Sequence, residues 1–236
     1  MRTLSSWDLI GLWERGADFH VLDRGLLALS AAMPEVSAAG LADWPLGHRN
    51  KALLDLHCSN FGPALEGWTA CANCGEKMEF ELNGQELADA HAHAIHAEQT
   101  VRFKGQSFRL PTSRDLAEAA LHPDAETAAL TIVERCRTGE KTTADWNGDD
   151  LEGLGNALAA ADPLAEVRIA LCCPGCGKES EETIEIISFL WTEIEARAKR
   201  LFWEVHALAR EYGWAESEIL SLSPARRALY VGMVQA

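Results

Sequence analysis

Two Cys-x-x-Cys-Gly motifs constrain this chain more than any other feature of its sequence. Their cysteines are Cys71, Cys74, Cys173 and Cys176. Gly75 follows the first pair and Gly177 the second, and glycine lets the backbone turn back sharply beneath a bound ion. A structural zinc ion takes four tetrahedral thiolate or imidazole ligands, so each motif supplies half of a site. The sequence therefore predicts one structural Zn²⁺ bound by the four cysteines.

The segments around the motifs repeat one pattern of strand, cysteine turn and alternating strand. Residues 68–70 precede the first motif and 77–82 follow it with period two, and 166–171 and 182–186 flank the second motif in the same way. This pattern is typical of a zinc ribbon split by a long insertion. Closing a loop of this length costs about 4.7 kcal/mol, whereas a structural zinc contributes about 10–16 kcal/mol. We expect the metal to hold the two halves together.

Other roles for the cysteines are less favoured. If the cysteines were simply buried thiols, the occurrence of two Cys-x-x-Cys pairs that each end in glycine would be a coincidence. A redox role is also disfavoured, because neither pair begins a helix that would lower the pKa of a thiol. Cys172 is adjacent to Cys173 and could substitute for it, but only Cys173 gives the two-residue spacing. Cys58 and Cys136 fall on apolar faces of predicted helices, where core packing is expected.

The fold class predicted from the hydrophobic periodicity is α+β, a split zinc-ribbon β core with an inserted helical module and helical termini. Helices are expected at 7–16, 21–33, 48–58, 113–121, 125–137 and 151–161, and a hairpin at 101–103 and 106–110. A long apolar stripe predicts a helix that Ser188 caps and Gly213 ends, followed by helices at 214–222 and after Ser223-Pro224. One composite domain results, with segments 1–65, 66–112, 113–165, 166–187 and 188–236.

Composition narrows the partners and the compartment. The 236 residues carry a net charge of −15, and Arg197, Lys199 and Arg200 come closest to a basic patch. Nucleic-acid binding needs clustered basic residues, so it is disfavoured, as is a helix-turn-helix at the acidic 214–222 segment. No apolar run spans a bilayer, and Asp8 and Glu14 interrupt the only stretch that resembles a signal peptide. A cytoplasmic location is expected.

An enzymatic function finds little support in the sequence. It holds no glycine-rich phosphate loop, nucleophile elbow or zinc-protease motif, and a closed four-cysteine site leaves no open position for a substrate. His91, His93 and His96 suggest a second metal site only weakly, and a polar connector is the favoured interpretation. His206 is expected to be partly buried in the long helix.

Short signatures are dispersed over nearly the whole chain. Before the first cysteine motif they are Leu9, Leu12-Trp13-Glu14-Arg15-Gly16, Leu22-Asp23-Arg24 and Leu46-Gly47-His48-Arg49. Between the motifs they are Phe108-Arg109-Leu110-Pro111 and Asp115-Leu116. After the second they are Val205-His206, Tyr212-Gly213-Trp214, Glu218-Ile219-Leu220, Arg226-Arg227 and Tyr230. This layout resembles the T4-type bacteriophage baseplate proteins and their relatives in contractile injection systems, which are phage-tail-like particles.

The resemblance implies a structural or assembly role at the baseplate or hub of such a particle, in multiple copies. The implied partners are other baseplate, hub and tail proteins, including the spike or tape-measure protein, with no nucleic acid and no membrane. The particle would be assembled in the cytoplasm and could then be released. The tryptophans expected to dock these subunits are Trp7, Trp13, Trp191, Trp203 and Trp214. The alternative is a zinc-ribbon protein associated with nucleic acid in transcription or processing.

Overall fold

The computed structural model of the chain describes residues 1–90, 100–139 and 146–235. His91, His93 and His96 lie outside the described residues, so their role stays a prediction. Within the described ranges, no helix is both long and apolar enough to cross a bilayer.

The architecture is α+β, with helices surrounding small antiparallel sheets. The first half contains α1 Ser6–Gly16, α2 Val21–Ala32, α3 Ala38–Ala42, α4 Leu46–Phe61, β1 Ala64–Ala70, β2 Lys77–Asn83, α5 Gly84–Ala90, β3 Thr100–Phe103 and β4 Gln106–Arg109. The second half contains α6 Ser113–Ala119, α7 Ala125–Cys136, β5 Arg137–Thr138, α8 Gly148–Ala161, β6 Val167–Cys172, β7 Glu179–Ile184, α9 Ile186–Tyr212, α10 Glu216–Ser221 and α11 Pro224–Gln235. Strand β1 pairs with β2, β6 with β7, and β4 with both β3 and β5.

Helix α9 is the long helix that the apolar stripe predicted, and the main core forms along it. Leu190, Ile194 and Ala198 are buried, and α1, α2 and α4 pack against the same helix. The approach of α1 is so close that a Cβ at Gly16 would lie 2.2 Å from Cη2 of Trp191. Gly213 ends α9 in the left-handed conformation, as predicted.

The predicted start of α9 was wrong. The helix begins at Ile186 rather than after Ser188, and the Ser188 hydroxyl donates to the carboxylate of Glu185 at 2.7 Å. Burial of Ile186 and Ile187 in the main core explains why the helix starts before the hydroxyl that could have capped it. His206, which was expected to be partly buried, is exposed.

A second, smaller core forms between the β3–β4 hairpin and helices α7 and α8. Phe108, Cys136 and Leu154 are its most deeply buried members. The predicted hairpin and the burial of Cys136 are confirmed, whereas Cys58 is only half-buried. Strand β5 was not predicted, because its two residues carry no periodicity of their own. Arg137 and Thr138 leave α7 directly and pair with β4, so the helix ends one residue earlier than expected.

Buried polar bonds join this second core to the start of α4. The carboxylate of Asp162 accepts the Gly47 backbone N–H at 2.8 Å, and the Asn50 side chain donates to the Leu164 carbonyl at 2.7 Å. Arg49 is buried and donates to the Ser113 hydroxyl at 3.0 Å. A side chain at position 47 would collide with Asp162, since its Cβ would lie 1.7 Å from Oδ1. The junction depends on this glycine.

Asp115 is the most heavily bonded carboxylate of the second core and is fully buried. Arg109 binds both of its oxygens at 2.6 and 2.9 Å, Arg135 Nε donates at 2.9 Å, and the Thr112 N–H and hydroxyl donate at 2.9 Å each. Burial alone would raise the pKa of Asp115, but the bonds from Arg109, Thr112 and Arg135 outweigh it and hold that pKa well below its usual range.

We expect Asp115→Asn to lower the free energy of unfolding at pH 7 by about 3 kcal/mol, because two arginines lose a buried partner. The depressed folded pKa means that the carboxylate stabilises the fold above its unfolded pKa of about 3.9 and loses that effect as pH falls further. The difference between the two proteins should therefore shrink below about pH 4. Urea unfolding of the parent and the variant at pH 7 and below about pH 4 measures this difference in stability. The control Asp124→Asn keeps a good N-cap on α7 and should change stability by about 0.5 kcal/mol or less. Equal losses in the two variants would contradict the assignment.

Candidate metal centre

Each cysteine motif forms the turn of a β-hairpin, as the repeated pattern predicted. In the first hairpin, the Gly75 N–H donates to the Cys71 carbonyl and the Cys71 N–H to the Glu76 carbonyl, both at 2.8 Å. In the second, Gly177 and Cys173 make the corresponding bonds at 2.9 Å. Both glycines have a positive φ, +76° and +71°, which a side chain would strain. The two turns are therefore copies of one geometry.

The four sulfurs meet although the two hairpins form separate sheets. Cys71 Sγ lies 3.7 Å from Cys176 Sγ, and Cys74 Sγ lies 3.6 Å from Cys173 Sγ, so the pairs cross between the hairpins. All four sulfurs lie within 4.8 Å of one another, and none is in a disulfide. A tetrahedral ion bound at about 2.3 Å requires sulfur–sulfur edges of about 3.8 Å. The four cysteines could therefore bind one metal ion without moving far.

The first cysteine of each motif is buried and the second is exposed. Cys71 is 5% exposed and Cys173 is 1% exposed, and both pack with Met78 and Leu171. Cys74 and Cys176 face solvent. The inner thiols are thus fixed by packing, and the outer thiols leave a route by which an ion can enter.

Hydrogen bonds and neighbouring thiols shift the pKa values of the cluster in opposite directions. The Asn73 amide, the Lys178 N–H and the Cys74 thiol lower the pKa of Cys176 to about 6. The Glu76 N–H lowers the pKa of Cys74, but the thiols of Cys176 and Cys173 outweigh it and raise that pKa to about 12. The cluster therefore still carries at least one thiol proton at neutral pH. Binding an ion would displace that proton, so metal affinity should fall as pH falls.

The cluster contains Cys173 and not its neighbour. Cys172 is the last residue of β6, is exposed, and lies 3.8 Å from the Gly177 carbonyl. Consecutive residues of a strand point to opposite faces, so only one of the two adjacent thiols can face the other hairpin.

One residue that contacts the cysteine cluster was not predicted from the sequence. The Asn73 side chain donates to Cys176 Sγ at 3.5 Å, across the gap between the hairpins. It is one of the two residues between Cys71 and Cys74, and the spacing of the motif places no demand on its identity. Its polarity, next to two thiolates, was the available signal.

We expect Cys173→Ser to abolish stoichiometric metal binding, while Cys172→Ser retains it. Loss of the metal should lower the free energy of unfolding by about 5 kcal/mol or more, the amount by which the contribution of a structural zinc exceeds the cost of closing the loop. This corresponds to a melting temperature about 10 °C lower, or more. The neighbouring substitution should change stability by about 0.5 kcal/mol or less. Elemental analysis and calorimetry of both variants measure these effects. Retention of metal by Cys173→Ser, or its loss in both variants, would refute the assignment.

Comparisons with protein-family models, with curated proteins and with solved structures find no match to this chain. The cysteine geometry and the signatures along the sequence are therefore what supports the proposals that follow.

Proposed function

We propose that this protein is a non-enzymatic structural or assembly component of a contractile phage-tail-like particle, stabilised by one structural zinc ion. It would make protein–protein contacts at the baseplate or hub. The observation that carries the zinc assignment is the approach of four thiols from two hairpins to within 4.8 Å. In that arrangement the hairpins would be the two halves of a split zinc ribbon.

A four-thiolate tetrahedral site favours zinc or iron–sulfur chemistry over other metals. Four protein ligands also complete the coordination shell of zinc, which leaves no position for a substrate. A structural role for the ion is therefore favoured over a catalytic one.

We expect the purified chain to contain one zinc ion and to be colourless. Elemental analysis should give one Zn per chain and no iron or sulfide, because single zinc ions suit closed four-cysteine sites. A chelator should lower the melting temperature, and Zn²⁺ added afterwards should restore it. An iron content that matches the chain, or a melting temperature indifferent to metal, would refute the zinc assignment.

Several of the residues on which the proposed resemblance rests build the fold of this chain. The Arg227 guanidinium is buried, binds the Glu204 carboxylate at 2.7 Å and donates to the Leu222 carbonyl at 3.0 Å. Ile219 and Leu220 are buried beneath α9. Burial gives these residues a structural role in this chain, and the proposed kinship rests on the sequence signatures themselves.

Exposed aromatic side chains offer surfaces for the proposed subunit contacts. Of the predicted docking tryptophans, Trp7 is 51% and Trp203 46% exposed, whereas Trp191 is buried. Trp68, which was not predicted, is 63% exposed. Tryptophan is enriched at interfaces because one rigid side chain buries a large apolar area.

We expect the tagged protein to co-purify with tube, hub or spike proteins from cells that are assembling particles. Comparing the cell lysate with purified particles would show whether it stays in the finished particle. Trp7→Ala with Trp203→Ala should weaken the association if these side chains dock, whereas Phe19→Ala, an equally exposed aromatic, serves as the control. Recovery of DNA or RNA without tail subunits would favour the nucleic-acid alternative instead.

A further inference from the structure

A groove follows the outer edge of strand β1. Five consecutive β1 residues, 64–68, line one wall, and Phe189 and Glu193 of α9 lie on the opposite wall. Successive strand residues point to opposite faces, so a groove that touches all five runs along the strand edge. Its volume is about 580 Å³.

This edge carries unpaired backbone groups. Among the described residues, β1 pairs only with β2, so the N–H and C=O groups on its other side have no strand partner. An unpaired edge is a template for an added strand, and extended peptides bind many proteins in this way. Here the edge opens into a groove rather than onto a flat surface, which gives side chains of a bound strand places to pack.

The groove and the adjoining face of the hairpin combine apolar walls with unmatched negative charge. Phe61 and Phe189 supply the apolar wall, Leu65 is buried beneath it, and Trp68 is exposed beside it. Glu66 lies directly opposite Glu81 across the β1–β2 pair. Like charges in that position destabilise a hairpin, and no described residue forms an ion pair with either glutamate.

The second hairpin carries a cation at the position where the first carries Glu66. Arg168 occupies the position that corresponds to Glu66, 102 residues further along the chain. Its guanidinium lies 3.0 Å from Glu166 and 3.6 Å from Glu181. Arg168 thus pairs with two of the second hairpin's carboxylates, whereas the first hairpin has a glutamate at that position and, in the part of the chain that the structure describes, pairs only Glu79, with Lys77.

We propose that the β1 groove binds an extended segment of a partner protein in which lysine or arginine alternates with apolar residues. The segment adds a strand to β1, places its basic side chains beside Glu66, Glu81 and Trp68, and buries its apolar side chains against Phe61 and Phe189. Lys77 Nζ already lies 5.5 Å from the centroid of the Trp68 ring, so the exposed Trp68 adds apolar contact area to the recognition rather than a further site for a cation. This inference rests on the proposed docking role, but not on the identity of the particle.

The test uses the full-length zinc-loaded chain and a fluorescein-labelled ten-residue peptide of alternating lysine and valine. Fluorescence anisotropy should show binding, with affinity about tenfold weaker when glutamine replaces lysine. N-methylation of the peptide backbone along one edge should weaken binding by about tenfold or more, because a strand binds through its N–H groups. No binding, or binding indifferent to both changes, would overturn the proposal.

Variants locate the binding on the protein. The double change Glu66→Gln with Glu81→Gln should weaken binding about fivefold, and Trp68→Ala about tenfold. The matched control changes Glu118 and Glu152 to Gln, two exposed glutamates outside the groove, and affinity should stay within about twofold. Equal losses in the two double variants would mean that the peptide responds only to the net charge of −15, and this would overturn the site.

Failure of this inference and failure of the proposed function are distinguishable. If the peptide binds but no tail subunit co-purifies, the proposed binding groove stands and the proposed role in a phage-tail-like particle is refuted. If the peptide does not bind, and tail subunits co-purify equally with the unaltered chain and with Glu66→Gln/Glu81→Gln, only the groove proposal is refuted. The glutamine variant eliminates a like-charge pair, so we expect it to fold at least as stably as the parent, as its melting temperature should show.

Discussion

The meeting of four thiols from two distant hairpins is the constraint on which the rest of this structure depends. A two-stranded hairpin is marginally stable by itself, so each must be held by something else. At one end, Leu65 of the first hairpin and Val167 and Ile184 of the second lie in the main core. At the other end, Cys71 and Cys173 pack with Met78. Each hairpin is thereby fixed at both ends, and the cysteine cluster is the end at which they meet.

The helices determine where the cysteines meet. Strand β1 leaves α4, strand β7 leads into α9, and α4 and α9 pack directly on each other. The two strands are consequently anchored at the same pair of helices, although they belong to separate sheets. The bonds from Asp162 and Asn50 tie the chain that precedes β6 to the start of α4. Helix packing thus brings the bases of the two hairpins near each other, and a bound ion at the cysteines would fix their turns together.

Local patterns could be predicted from the sequence, and long-range bonds could not. The cysteine turns follow from spacing and from glycine, and the alternation at 77–82 is enough to predict a strand. The start of α9 was misjudged because a local capping hydroxyl at Ser188 competes with the burial of Ile186, which only the fold reveals. Asp115 is a second example. Its position at the start of a helix suggests a capping role, but its ion pairs with Arg109 and Arg135 depend on the fold and could not be predicted. The exposure of Trp68 was missed because a tryptophan in a strand usually packs inward.

The cysteine cluster and the β1 groove lie on the same hairpin, which would link metal binding to the proposed docking. A cross-strand pair of glutamates weakens pairing, so the hairpin tolerates Glu66 and Glu81 only while other contacts hold its strands together. Part of that support comes from the cysteine end and part from Gly67, where a Cβ would lie 2.5 Å from Phe80. An edge strand that is fixed beforehand loses little conformational entropy when a partner strand binds. A metal ion at the cysteines would thus strengthen docking without touching the partner, because it preorganises the strand to which the partner is added.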